Sequence, residues 1–281
     1  MFPLVDNLAR FHKSMTRPVA PRDNSIARFE IKYLVDYRLL KPLRDFLHLF
    51  CVSDPYCIGD PPCYQVTSLY FDSAFGDLYM AKEHKTADRF KLRARAYGPS
   101  ETSPMFLEIK RRHLDIIVKS RAAFKPGWGD LKEIILGDKY DPMMKESHKD
   151  DYLEFVRTLK AIDAKPTMRI SYQRESFIGE NDDYARATFD TNLKYMPTHD
   201  WEIVPATGKW QHLDSSTSTN HPCPAFVFEL KCTEFMPTWM LEVIDRFSLN
   251  RCDFCKYANG MRLDSLYRGF SYSDASDNTT Y

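Results

Sequence analysis

The alternation in Lys91-Leu-Arg-Ala-Arg-Ala-Tyr97 is the tightest constraint in the sequence. Read with the two-residue period of a strand, it sets Lys91, Arg93 and Arg95 on one face and Leu92, Ala94 and Ala96 on the other. Neighbouring cations on such a face stand about 7 Å apart and repel one another, so a fold that keeps them together has a polyanion to hold there. After a turn at Gly98-Pro-Ser100, residues 106–112 give a second strand, with Glu108 and Lys110 on one face and Leu107 and Ile109 on the other.

The same device recurs along the chain. Residues 28–35 alternate Arg28, Glu30 and Lys32 with Phe29, Ile31 and Tyr33, and residues 225–231 end in Glu229 and Lys231 at the spacing of Glu108 and Lys110. Residues 64–71 form a β-rich run, and residues 166–177, carrying Arg169, pair with 184–190 across a hairpin turn at 181–183. Helical spacing of apolar residues marks 36–50 (with Asp36 as N-cap), 74–82, 151–162 and 237–247. If the apolar strand faces pack outward on these helices, the charged faces look toward one another. The expected fold is therefore α+β: an antiparallel β-barrel forming a basic tunnel, with helices packed outside and capping it. A flexible N-terminal arm is expected over 1–24, a single tunnel domain over 25–270, a mobile loop over 197–224 and a disordered tail over 271–281.

Lys plus Arg and Asp plus Glu both number 39, so the molecule as a whole has no pull on nucleic acid, and an anion site must come from local arrangement. No apolar run reaches the roughly 20 residues of a membrane span, and 1–20 lacks a signal-peptide core. With seven irregularly spaced cysteines, reduced thiols in a cytoplasm are expected. Cys252 and Cys255 form one CxxC without a second, which does not make a zinc knuckle pair, and Cys255 is expected to be a packing thiol. No P-loop, Rossmann or nucleophile motif is present. The chemistry that suits a basic lumen is phosphoryl transfer, where catalysis is mostly positioning and charge neutralisation. Arginines grip phosphate with a fork, lysines act as point charges, and Glu229, Glu108 and Glu30 are the candidate ligands for Mn²⁺ or Mg²⁺. Because lumenal cations repel, removing Arg93 or Arg95 is expected to cost activity and leave the fold intact.

Nine segments in order carry a resemblance: Phe29-Glu-Ile-Lys-Tyr33, Ser68-Leu-Tyr-Phe-Asp72, Lys91-Leu-Arg-Ala-Arg-Ala-Tyr97, Phe106-Leu-Glu-Ile-Lys110, Val118-Lys-Ser-Arg121, Arg169-Ile-Ser-Tyr-Gln-Arg174, Arg186-Ala-Thr-Phe-Asp190, Phe228-Glu-Leu-Lys231 and Cys255-Lys-Tyr257. Over roughly 26–260 the chain resembles the VTC (vacuolar transporter chaperone) domain, the polyphosphate-polymerase branch of the triphosphate tunnel metalloenzymes, or CYTH superfamily. The resemblance implies a tunnel that binds ATP, triphosphate and polyphosphate and moves the γ-phosphate of a nucleoside triphosphate onto a growing chain with Mn²⁺ or Mg²⁺. By motif position it makes Lys32, Arg93, Arg95, Lys110, Lys119, Arg169, Arg186, Lys231 and Lys256 phosphate ligands, with Lys91 and Arg121 in the same segments, and Glu229 the principal metal ligand. The core expected to be catalytic is Lys32, Arg93, Arg95, Lys110, Arg169 and Lys256.

Two departures stand out. Hydrolytic relatives begin the first strand Glu-x-Glu-x-Lys, where this chain has Arg28, and the residue before the late lysine, usually Ser, is Cys255. Fungal members sit in a membrane complex, which makes a membrane-protein partner an open expectation. A tripolyphosphatase or nucleoside triphosphatase of the same fold, and a non-catalytic module binding polyphosphate or inositol phosphates, are the competing readings.

Overall fold

Among the described residues, ten strands make one sheet in which every pairing is antiparallel, in the order β1-β10-β8-β7-β3-β4-β5-β6, with β2 added to β7 and β9 to β8. They are β1 (Phe29–Asp36), β2 (Cys51–Ser53), β3 (Tyr64–Asp72), β4 (Asp88–Tyr97), β5 (Met105–His113), β6 (Ile116–Phe124), β7 (Lys165–Gly179), β8 (Ala185–Pro197), β9 (Gln211–His212) and β10 (Ala225–Cys232). The helices are α1 (Leu40–Leu47), α2 (Asp77–Glu83), α3 (Leu131–Leu136), α4 (Glu146–Ala161), α5 (Ser216–Thr219), α6 (Thr238–Arg246) and α7 (Lys256–Arg268). This computed structural model describes residues 29–98, 105–113, 116–124, 131–137, 146–180, 184–233 and 235–268. The expected arm at 1–24, the tail at 271–281, Arg28, and the turns at 99–100 and 181–183 lie outside those residues.

Register fixes which side chains share a face, because directly opposed residues in an antiparallel pair point the same way. Arg93 opposes Tyr70 and Glu108, Glu108 opposes Arg121, and Lys110 opposes Lys91 and Lys119. On the other arm Glu229 opposes Lys32 and Thr188, Lys231 opposes Glu30 and Arg186, and Asp190 opposes Val227 and Arg174. The sheet curls so that these two charged walls face each other.

Two cores cover the outer surface. Leu92, Ala94, Ala96, Leu107, Ile109 and Ala122 pack on Ile134 and Ile135 of α3 and Tyr152, Phe155, Val156 and Leu159 of α4. Tyr33, Val35, Phe177, Phe189, Phe226 and Phe228 pack on Leu43, Phe46 and Leu47 of α1 and Trp239, Met240 and Val243 of α6. In α1 the apolar spacing drives the helix, Pro42 is tolerated in its first turn, and each fully buried leucine contributes about 1.5–3 kcal/mol. Asp36 does cap, accepting the Arg38 N–H, but it caps a single 3₁₀ turn (Tyr37–Leu39) that precedes α1.

A third core lies inside the curl. Met168, Ile170 and Tyr172 of β7, Leu193 and Tyr195 of β8 and Tyr70 of β3 receive Tyr257, Ala258 and Leu263 of α7. A bulge at Asn192 (φ +50°) shifts the register from Gln173 opposite Thr191 to Ser171 opposite Lys194, and this rephasing turns Leu193 and Tyr195 inward. The helix sits close because Gly260 lacks a side chain; a Cβ there would stand 3.3 Å from Ile170 Cδ1 and 3.5 Å from Tyr195 Cβ. Helix α7 thus plugs the lumen, an element the sequence reading placed only as a Cys-Lys-Tyr segment. The loop expected to be mobile over 197–224 instead contains β9 and α5, whose N-cap Ser215 accepts the Ser218 N–H, and it buries Leu213.

Candidate active site

β1 and β6 end the hydrogen-bonded path, and side chains close the ring where the ladder does not. Lys110 Nζ of β5 reaches Glu30 Oε2 of β1 at 2.7 Å. The strap before α7 makes a second crossing. The Cys252 N–H donates to the Lys32 carbonyl at 2.8 Å, Lys82 pairs with Asp253 at 3.0 Å, and Lys91 Nζ meets Cys255 Sγ at 2.9 Å.

On the β4–β6 wall, Glu108 is fully buried and ringed by cations. Arg93 Nε and Lys119 Nζ lie 2.7 and 2.6 Å from its oxygens, Arg121 Nε 3.2 Å and Arg95 Nε 4.0 Å. Burial alone would raise this carboxyl, but Arg93, Arg95 and Lys119 hold it far below the usual carboxylate range. Arg93 also donates to Tyr70 OH at 3.1 Å, and Arg95 to Ser68 Oγ at 3.1 Å and Tyr97 OH at 3.3 Å. Arg121 stacks 3.5 Å over the Phe106 ring. Burial pushes Lys110 and Lys119 down to about 8, partly offset by Glu30 and Glu108 respectively.

On the β7–β8–β10–β1 wall, Arg174 forks onto Asp190 at 2.6 and 2.8 Å, and Lys256 Nζ joins the same carboxylate at 2.6 Å. Burial would raise Asp190, and Arg174 and Lys256 instead bring it down to about 2. Glu229 is the loosest of the lumenal carboxylates: its ion pairs to Lys231 and Arg174 measure 3.7 and 3.9 Å. Burial works against its charge, yet Lys231, Lys32 and Arg174 hold it well below the usual range. Burial likewise would lower Lys32, and Glu229 and Glu30 reverse this and raise it. Arg186 is half-exposed at the rim, 3.7 Å from Asp54.

The register therefore brings together Lys32, Lys91, Arg93, Arg95, Lys110, Lys119, Arg121, Arg186 and Lys231, with Glu30, Glu108 and Glu229 among them, and Lys256 joins them from the start of α7 through Asp190. Arg169 is the exception and corrects the sequence reading. It opposes Leu69 on the outer face, where its guanidinium donates to the carbonyls of Glu202 and Asp200 and to Thr198 Oγ1. Its role is to tie down the 198–202 segment, and the lumenal arginine of β7 is Arg174. Asp190 was also missed, although it shares the two-residue phase of Arg186 and Thr188, which was the available signal. Cys255 is not merely a packing thiol: its sulfur accepts the Ala258 N–H at 3.5 Å, capping α7, and although burial would raise it, Lys91 brings it down to about 7.

For the divalent cation the donor set is mixed. Among the described residues no group of three His, Cys, Asp or Glu converges as a metal site. Glu108, expected from the sequence to be a metal ligand, has cations against both oxygens, Arg93 on Oε2 and Lys119 on Oε1. Glu229 and Glu30 do fit, since Mg²⁺ is held by one or two carboxylates with substrate phosphates completing its shell.

No curated protein matches the chain. Among solved structures it is similar to the PH1819 protein from Pyrococcus horikoshii OT3, at 12% identity and a TM-score of 0.43, covering 86% of this chain and 99% of that one. The family model of the VTC domain matches residues 27–264, a span that contains every lumenal side chain described above. The chain therefore belongs to the VTC-domain family, and its function is polyphosphate-related.

Proposed function

We propose that the tunnel is the active site of a metal-dependent polyphosphate polymerase that transfers the γ-phosphate of ATP to the end of a polyphosphate chain. The observation that carries this reading is the pair of cross-lumen contacts, Lys110 to Glu30 and Lys91 to Cys255, which set two cationic walls close enough to grip one linear polyanion from both sides. A terminal oxygen of the chain attacks the γ-phosphorus, its bond to the β-γ bridging oxygen breaks, and ADP leaves with that oxygen. Arg93, Arg95 and Arg174 supply forked contacts to phosphate oxygens as charge spreads over them, and Lys32, Lys91, Lys110, Lys119, Lys231 and Lys256 neutralise the chain. Arg121 and Arg186 receive it at the rims. Mn²⁺ or Mg²⁺, held by Glu229 and Glu30, would supply charge neutralisation at the transferred phosphoryl group. Burial of the arginine heads lets them act in low dielectric without reorganising.

The test is incubation of the purified protein with ATP and Mn²⁺, followed by a polyphosphate gel and nucleotide analysis. Polymer with stoichiometric ADP is expected. Free phosphate without polymer selects a tripolyphosphatase or nucleoside triphosphatase, and tight binding without turnover selects a sensor module.

A further inference from the structure

Among the described residues three buried lumenal polar atoms make no hydrogen bond: Glu108 Oε1 and Arg121 Nε, which form an ion pair with each other at 3.2 Å, and the Thr188 hydroxyl, which has no such pairing. Thr188 is 4% exposed and its hydroxyl makes no hydrogen bond. By register it stands between Glu229 of β10 and Ser176 of β7. No hydrogen bond joins it to Ser176, whose own hydroxyl turns to donate toward Asp54 at 3.5 Å. A buried hydroxyl without a partner costs about 1–3 kcal/mol, so its retention calls for a ligand that enters the site. Its cross-strand neighbour Glu229 is paired, but at longer range than the other lumenal carboxylates. Glu108, Asp190 and Glu30 each have a cation within 2.7 Å, whereas the nearest to Glu229 stands at 3.7 Å. Opposed side chains have Cβ atoms about 4.5–5.5 Å apart, the separation at which a carboxylate and a hydroxyl can share one ion.

We infer that the Thr188 hydroxyl and the Glu229 carboxylate together form the protein half of a divalent-cation subsite, with Thr188 as a direct oxygen ligand. The donor chemistry selects the occupant. A phosphate oxygen would accept from the hydroxyl but would be repelled by the adjacent carboxylate, whereas a hard cation takes both as oxygen donors. Lys32, Lys231 and Arg174 surround Glu229, so the cation enters with phosphate, whose charge offsets theirs. Ser and Thr hydroxyls do the same service for Mg²⁺ beside nucleotide phosphates in P-loop sites.

This inference rests on the metal-dependent reading above, and its test separates the two. Mn²⁺ retention by the full chain is measured by electron paramagnetic resonance with inorganic tripolyphosphate present, for wild type, Thr188→Val, Thr188→Ser and Glu229→Gln. Thr188→Val is expected to weaken Mn²⁺ binding by about tenfold or more, Thr188→Ser to restore it, and Glu229→Gln to abolish it. The metal-free melting temperature of Thr188→Val should equal or exceed that of wild type, because the lost hydroxyl had no partner. Equal Mn²⁺ affinity in Thr188→Val and wild type overturns the assignment of Thr188 while leaving Glu229 in place. No loss in Glu229→Gln, or no binding in wild type, overturns the subsite and the metal-dependent reading together. The polymer gel, read separately, decides polymerase against hydrolase whichever result is obtained.

Discussion

At the scale of single residues, Glu108 reverses an argument made from like charges alone. Repulsion among Arg93, Arg95 and their neighbours predicts that deleting one leaves the fold intact. With Arg93 and Lys119 within 2.7 Å of a fully buried carboxylate, deleting Arg93 instead takes a close cation from a buried anion, and removing Glu108 leaves its cations without their shared counter-charge. Breaking one side of such a buried network costs about 3–5 kcal/mol. Glu108→Gln and Arg93→Ala should therefore both unfold at lower denaturant near neutral pH. The pH dependence has a definite sign. The folded carboxyl lies far below its ordinary value of about 4.3, so its contribution is complete above that value and declines as pH falls beneath it. The stability gap between wild type and Glu108→Gln should narrow on acidification from neutral to below about pH 4. A gap of the same size throughout, or no gap at pH 7, would show that the ring of cations does not depend on Glu108.

At the scale of elements, β4 and β7 show what a strand pattern does and does not reveal. On β4 the apolar phase (Leu92, Ala94, Ala96) faces an outer helix layer and the charged phase faces the lumen, so the alternation could be read directly. On β7 the inner phase begins apolar, with Met168, Ile170 and Tyr172, because α7 covers it, and becomes polar only at Arg174 and Ser176 beyond the plug. Arg169 sits in the opposite phase among Ser171, Gln173 and Glu175, where charge was taken to mean lumen. The misreading follows from the plug, which inverts the polarity of one stretch of the tunnel face. The plug escaped the sequence because its buried residues, Tyr257, Ala258, Gly260 and Leu263, spread over more than half the helix circumference instead of making one stripe. Gly260 is the position on which the packing turns. A mid-helix glycine costs about 1 kcal/mol against alanine, and close approach to Ile170 and Tyr195 is what it provides in return. Gly260→Leu should lower stability by about 1–3 kcal/mol in urea titration, as the helix is forced off β7 and β8. An unchanged midpoint would mean that α7 is not seated in the lumen as described.

At the scale of the whole molecule, the absence of net charge conceals a segregation: the lumenal cations outnumber the acids among them, Glu30, Glu108, Asp190 and Glu229. Part of that lumenal charge is held at a cost. Burial pushes Lys110 and Lys119 down to about 8, so near that pH each is protonated only about half the time. A polyanion placed beside them favours the charged form and raises both, which means that binding draws protons from solvent in the window above about pH 7. At pH 8 the two lysines together should take up close to one proton per tripolyphosphate bound, and affinity should fall as pH rises through 8. Calorimetry in buffers of different ionisation enthalpy measures this uptake. Tripolyphosphate titrates in the same range, so the comparison is with Lys110→Met/Lys119→Met, in which the protein's share is absent and the affinity less dependent on pH. Identical proton uptake in wild type and the double variant would place these lysines outside the anion's path. Loss of close to one proton in the variant places both of them against the bound chain, on the wall where Lys110 already reaches across to Glu30.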